Sequence, residues 1–359
     1  MDTENKLIER LTATQGDVQA QAALMAEFRL SVYSEPQRLA LREAMDAAAV
    51  LHWFDAGLLA QLLEMPAAEA TARFEELKAL TFVEHYGRRN LDLFNVHEAT
   101  RLGWRRKLAA EDRDRFRALS ARAGSVFTWD QTPAGRVEWV YYLLCADPDA
   151  GAGALESMKR EWGNSARPED YSALARALGE LDSTGLVVGR ARVWTLLVLA
   201  FARAARGETS QLCETAAAAL DLARDAADES AEYSAHVLLG EAWQVAGSFD
   251  DAHAEFAKAQ AISRHLVKQN PRNAEWHRKL AVVCNRMGKA ALAQGQITTA
   301  ETAFAEALTI NLGLTAQAPR NQDLQQAQEV EALAGRRRVS ATRVRLKPRP
   351  PVWGLGTAT

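Results

Sequence analysis

Cysteine is scarce: three in 359 residues, at Cys145, Cys213 and Cys284, with no CxxC pair. So scattered and odd a set excludes a disulfide framework and fits a reducing compartment. Glycine (21) and proline (10) are also few, so the chain has little to break helices with. Long apolar runs are missing. The longest, Val193–Ala202, is interrupted by Thr195 and flanked by Arg190, Arg192 and Arg203, far short of the roughly 20 residues a span requires. The N-terminal MDTENKLIER has no apolar core of a secretory signal. The expectation is a cytoplasmic protein with no membrane contact. The net charge is only −3, so no sign dominates. Residues 336–359, however, carry seven Lys/Arg and no Asp/Glu.

Chemistry-bearing patterns are missing too. The seven histidines form no HExxH and no i, i+4 pair, which leaves no metal-ligand spacing. There is no GxSxG and no GxxxxGK[ST]. Acidic residues mostly lie among arginines, as in Glu111-Asp-Arg-Asp-Arg115, a pattern of ion-paired helix surface. No catalytic residue, metal site or cofactor is expected.

What is present is helix former in abundance, with 48% apolar and 25% charged residues. The last third repeats itself. Shifting 240–273 by 48 positions lays Gly240 on Gly288, Gly247 on Gly295, Ala252 on Ala300, Phe256 on Phe304 and Ala259 on Ala307. Pro271-Arg-Asn273 falls on Pro319-Arg-Asn321. Gly247 and Gly295 are fit to end one helix. Ser248-Phe-Asp-Asp251 and Thr298-Thr-Ala-Glu301 read as capping boxes that open the next. A weaker unit at an offset of about 40 runs through Leu196, Ala200, Gly207, Leu212, Ala216 and Ala219, and a partial one covers 321–334. Each unit is a helix hairpin with one apolar side that only a neighbour can cover.

Upstream, Ser34-Glu-Pro-Gln37 starts a helix with a stripe of Leu39, Ala40, Ala44, Ala47 and Val50. Asp55 opens a short second helix that stops at Pro66. A third covers 67–80, with Ala70, Phe74, Leu77 and Leu80 inward. The period then changes to two strands, Thr81–Tyr86 and Leu91–Val96, across Gly87-Arg-Arg-Asn90. Three helices and a hairpin form the winged-helix pattern. Residues 1–32 offer Leu7, Leu11, Ala22, Leu24, Met25 and Phe28 for packing. Residues 104–205 carry Trp129, Trp139, Tyr141, Tyr142, Trp162 and Trp194 as core, and Asp147–Gly153 reads as a loop.

Two resemblances follow from these residues. The Gly–Ala–Phe–Ala spacing resembles the tetratricopeptide repeat, here lengthened from 34 to 48 residues. Trp53-Phe-Asp55, Phe82-Val-Glu84 and Phe94-Asn-Val-His-Glu98 resemble the winged helix of STAND-class (NB-ARC-like) signalling ATPases, where a hydrophobic-His-acid motif closes the domain. By that resemblance His97 is a nucleotide-sensor candidate, operative only with an ATPase domain in trans, because the family's phosphate loop is missing here. The chain is then expected to be the back half of such a protein.

The expected fold is mainly α: an N-terminal helical remnant (1–32), a winged helix with a small β-hairpin (33–103) and a helical connector (104–189). A tetratricopeptide-like α-solenoid follows (190–335, best units 233–273 and 274–321), then a basic, Pro-containing disordered tail (336–359). The expected function is a non-catalytic interaction and regulatory module, with a protein or peptide partner and a separate phosphate-loop ATPase. By the resemblance the partner groove is lined by Ser234, Val237, Glu241 and Gln244, then Val282, Asn285, Lys289 and Leu292. The alternative is a DNA-binding regulator. Against it, the third helix carries Glu69, Glu75 and Glu76 beside Arg73 and Lys78, whereas phosphate contact needs a basic surface; Arg88 and Arg89 at the wing tip are its one favourable feature.

Overall fold

The structure, a computed structural model, describes residues 2–87, 92–162 and 167–317, together with Gly335 and Val339. Among them are sixteen helices and two short strands. The chain divides into two compact units, Met1–Leu199 and Ala200–Thr359.

The first unit begins with α1 (Asp2–Ala13) and α2 (Val18–Leu30), the latter capped by Asp17, whose side chain accepts from the Ala20 amide. Next come α3 (Glu35–Val50), α4 (Ala56–Leu63) and α5 (Ala67–Lys78). Asp55 caps α4, taking the Leu58 N–H at 2.7 Å, and Pro66 separates α4 from α5. Strands β1 (Val83–His85) and β2 (Phe94–Val96) pair antiparallel with Val83 opposite Val96. Phe54 adds a bridge by exchanging both backbone hydrogen bonds with Phe94. Phe54, Phe74 and Phe94 meet edge to face, with centroids 6.0 and 5.6 Å apart. The expected inward residues Ala44, Ala47, Val50, Ala70, Phe74, Leu77 and Leu80 are buried. Leu39 is not: it sits in the first turns of α3, facing away from the core, and is exposed, as is Met25 on α2.

Helices α6 (Glu98–Glu111), α7 (Arg113–Phe127), α8 (Pro133–Ala146), α9 (Pro148–Trp162) and α10 (Pro168–Thr184) complete this unit, along with the first part of α11 (Gly189–Ala205). Two expectations are corrected here. Trp129 is 88% exposed, because it lies in the turn after α7 rather than on a packed face. Asp147–Gly153 is not a loop. Asp147 caps α9 by accepting from the Ala150 N–H, and Pro148 takes the first helical position, where a missing N–H costs nothing. Gly151 lies against α8, where a Cβ would stand 2.7 Å from the Leu144 Cα. That glycine permits a close helix crossing, not a turn.

The second unit holds the rest of α11 and α12 (Thr209–Asp225), α13 (Glu229–Val245), α14 (Phe249–Gln269), α15 (Ala274–Ala293) and α16 (Ile297–Gln317). From α12 onward each helix packs on its sequence neighbour, and the turns between them are three or four residues, which makes neighbours antiparallel. Four of the five turns share one cap; that between α14 and α15 does not. The residue at 207, 227, 247 and 295 has positive φ. The following amide bonds the carbonyl five residues back: Glu208 to Arg203, Asp228 to Ala223, Ser248 to Trp243 and Gln296 to Ala291. This Schellman closure satisfies carbonyls left open at the helix end. Three of the four positions are glycine; the fourth is Ala227, with φ +51.

The expected capping boxes at the other end do not form. Ser248 is the N-cap of α14, but its hydroxyl donates to Asp251 at 2.7 Å rather than accepting a backbone N–H. Thr298 lies inside α16. At the equivalent position Asp228 does cap α13, accepting from the Ala231 N–H at 3.0 Å, so the closure itself leaves room for a side-chain cap.

Successive hairpins stack in parallel register. Tyr233 on α13 donates to the Lys279 carbonyl on α15 at 2.8 Å, and Lys279 Nζ to Ser230 Oγ at 2.8 Å, 46 and 49 residues apart. Arg264 on α14 pairs with Glu306 on α16 at 2.7 Å, 42 residues apart. Inside each hairpin a buried phenylalanine fills the crossing. A Cβ on Gly240 would come 2.5 Å from the Phe256 ring, and one on Gly288 2.8 Å from Phe304. Phe256, Phe304 and alanines 252, 259, 300 and 307 are wholly buried.

Val339 falls within the stretch expected as a disordered tail, yet it is helical and wholly buried, packed with Ala291, Ala300 and Phe304. Gly335 is helical too and faces Phe304. The apolar side of the last hairpin draws in residues beyond the boundary at 335. The partial unit 321–334 and the remainder of the tail lie outside the described residues.

Candidate functional site

The eight groove residues separate into two groups. Ser234, Val237 and Asn285 are buried, and Leu292 packs into the core around Phe304. Ser234 is held by its own helix, donating to the Ser230 carbonyl at 3.0 Å. Ser234, Val237 and Asn285 belong to the stack and give little surface, whereas Leu292 is half-buried. Glu241, Gln244 and Val282 are half-buried and Lys289 is exposed. Glu241 pairs with Arg286 across the hairpins. The accessible wall is therefore narrower than expected, with one closed ion pair on it. Asn285 Oδ1 is buried without a hydrogen-bond partner among the described residues.

His97 is the N-cap of α6, at the end of β2, with an exposed side chain. Its backbone N–H donates to the Phe82 carbonyl at 2.8 Å. On α5, Arg73 is paired with Glu76 at 2.8 Å and Lys78 with Glu75 at 3.0 Å, and Lys78 also lies over the Phe74 and Phe94 rings. The cations of this helix are neutralised within it, so it offers no basic face to a phosphate backbone. Arg88 and Arg89 lie outside the described residues.

A second locus, which the sequence did not single out, occupies the first unit. Glu180 on α10 receives Arg101 and Arg105 from α6 and the Tyr141 hydroxyl from α8; the Arg105 Nη1–Oε1 distance is 3.0 Å. His52, just after α3, bonds Glu138 on α8 through Nδ1 at 2.8 Å and places Nε2 3.8 Å from Glu180. The His52 backbone N–H donates to Tyr142 Oη at 3.2 Å. Arg105 is wholly buried; it lies over the Tyr141 ring at 4.7 Å and donates to Cys145 Sγ at 3.4 Å.

Burial works against the ionised form of Glu180, but the hydrogen bond from His52 and the two guanidinium charges outweigh it and hold the pKa down at about 2. Burial likewise opposes a charged His52, yet the carboxylates of Glu138 and Glu180 raise its pKa above the usual histidine value. A carboxylate so saturated is no general acid or base near neutrality. It is a junction, tying α6, α8, α10 and the end of α3 together. One signal in the sequence pointed to it: Arg101 and Arg105 stand i, i+4 on the same face of α6 as Leu102, Leu108 and the inward edge of Trp104.

A cavity of about 670 Å³ opens over this junction, with His52, Arg101, Glu138 and Glu180 on its floor and Tyr86, Asn95 and Glu98 among its other lining residues. Its size falls in the range of small-molecule sites, but the floor's charges are already spent on one another. No cluster of three or more His, Cys, Asp or Glu among the described residues could hold a metal ion. No helix among them is long and apolar enough to cross a membrane.

No known family matches the chain, nor does any curated protein. Several solved structures resemble it at low identity. BtubC (BKLC) from P. vanneervenii is 14% identical, with 67% of this chain and 97% of that one covered at a TM-score of 0.38. A signal transduction ATPase with numerous domains (STAND) and a tetratricopeptide repeat sensor, from Pyrococcus horikoshii, is 11% identical. There 90% of this chain is covered but only 58% of that one, at a TM-score of 0.35. A monomeric mutant of IFIT1 with m7Gppp-AAAA is 12% identical, with 87% and 74% covered at a TM-score of 0.29.

Proposed function

We propose that the chain is a non-catalytic interaction module of the cytoplasm whose second unit, a tetratricopeptide-like solenoid, holds a protein or peptide partner. The observation that carries this is the parallel stacking of hairpins at separations of 42 to 49 residues, together with the shared Gly–Phe crossing. Such a stack has two broad helical faces and no enclosed chemistry, the arrangement repeat proteins use to present a binding wall. Gln244, Val282 and Lys289 supply its contact residues, and Glu241 with Arg286 fixes their spacing.

The same reading gives the first unit a regulatory role. Three helices with an antiparallel strand pair support a winged helix of the STAND type, with His97 presented in solvent at the strand end. It docks on an ATPase domain supplied by another chain, and partner binding to the solenoid shifts the resting state of that ATPase.

The test is capture of partners from the source cytosol with wild type, with Gln244→Arg/Lys289→Glu, and with Thr302→Glu, an exposed change on α16. Loss of one saturable partner in the double variant alone, at unchanged melting temperature, supports the wall. Equal capture by all three, or none by wild type, overturns it. For the docking role, a phosphate-loop ATPase must be retained by wild type and show altered nucleotide occupancy with His97→Ala.

A further inference from the structure

In the first unit carboxylates consume most of the arginines: Arg10 pairs with Glu27, Arg42 with Glu111, Arg122 with Glu64 and Arg136 with Glu161. Arg113 and Arg117 are exceptions. Neither holds a carboxylate among the described residues, and both line one pocket of about 240 Å³. Arg106, which reaches Asp17 through Nη1 alone, lines it as well. No Asp or Glu does.

Arg113, exposed, and Arg117, half-buried, bring two like charges without carboxylate partners among the described residues to one pocket. Arg113 and Arg117 are i, i+4 on α7, where like charges repel. Arg113 also occupies the first turn of α7, against the helix dipole. Behind the pocket wall, Cys145 accepts from Arg105, whose charge is already met by Glu180. The C-terminal ends of α6 and α10 border the same space, and helix carbonyls there offset part of this charge. Phe116 and Val188 give the pocket an apolar side, and Thr184 and Cys145 also line it.

We propose that this pocket is a binding site for a compact phosphomonoester. Planar guanidinium groups match phosphate oxygens two at a time. A dianion between Arg106, Arg113 and Arg117 cancels the repulsion, and the Phe116–Val188 side takes a small apolar body. The volume admits a phosphate with a ring-sized substituent and excludes a duplex backbone. The phosphate is carried either by a free metabolite or by a phosphorylated side chain of a protein; the recognition chemistry is the same.

The experiment titrates the full chain with phenyl phosphate, with phenol, and with a tyrosine-phosphorylated peptide, followed by calorimetry and melting temperature. The expected result is saturable binding of phenyl phosphate but not phenol, weakened at least about tenfold in Arg113→Gln/Arg117→Gln and unchanged in Arg29→Gln/Arg38→Gln. Binding of the peptide as well assigns the phosphate to a protein; binding of phenyl phosphate alone assigns it to a small molecule. Without ligand, Arg113→Gln/Arg117→Gln melts no lower than wild type, because it removes a repulsion. Equal binding of phenol, equal loss in both double variants, no binding at millimolar phenyl phosphate, or a lower melting point for the ligand-free variant would each overturn the proposal.

Discussion

The two units reach order by opposite means. In the second, each helix from α12 onward packs on its sequence neighbour, four of the turns close by the same five-back amide bond, and alanines with one phenylalanine fill the α13–α14 and α15–α16 crossings. In the first, residues 39 to 128 positions apart converge on Glu180 and His52, and wholly or largely buried guanidinium groups hold helices that no repeat relates. Local closure lets one rule be used over and over. A buried charge junction is used once, and it specifies a single arrangement because each partner left alone is costly.

The largest expected effect tests that contrast directly. Glu180→Gln leaves Arg101 and Arg105 buried without their carboxylate, and we expect a loss of about 3–5 kcal/mol in denaturant unfolding of the first unit. A loss below about 1 kcal/mol would show that packing, not the junction, sets this unit.

Acid should reach the same group. The folded pKa of Glu180, about 2, lies below its ordinary 4.5, so its contribution is complete above pH 4.5 and fades as pH falls toward 2. His52 has the reverse sign. Its pKa is raised from 6.5, so its contribution is full below 6.5 and lost as pH climbs through the folded value. Unfolding of the first unit followed against pH should show both flanks, and Glu180→Gln should remove the acid one.

Gly240→Ala sets a Cβ against the Phe256 ring, and overpacking there should cost about 1–3 kcal/mol. Adding Phe256→Leu should make the pair less than additive; simple additivity would mean the crossing is not shared. The smallest effect concerns the turns. Ala227 adopts the conformation its counterparts reach as glycine. Ala227→Gly should therefore stabilise by up to about 1 kcal/mol, while Gly247→Ala destabilises by about as much. A thermal melt resolves the opposite signs.

The same contrast explains what the sequence disclosed. Gly240, Gly247, Phe256 and their partners 48 positions on were visible because a repeat shows each constraint twice. The strand pair was visible because its period changes, although the paired strands are only three residues each. The Glu180 junction was nearly invisible: Arg101, Tyr141 and Glu180 lie on three helices, and nothing local marks them as neighbours. Asp147–Gly153 misled because glycine serves both turns and close crossings, and only the presence of Leu144 across the interface decides which. Trp129 misled because an aromatic residue at a helix end has no face to join. Ser234 and Val237 on α13 and Asn285 on α15 lie on the first helix of each hairpin, but burial depends on the adjoining hairpin, which spacing alone does not position.

The helices of the second unit are not equal in length. α12 and α13 have 17 residues each, whereas α14, α15 and α16 have 21, 20 and 21. One further turn adds about 5.4 Å of height, so the slab is taller toward its C-terminal end. A ligand laid across it meets a step, and turning that ligand end for end would not give an equivalent fit: the stack carries a built-in sense of direction.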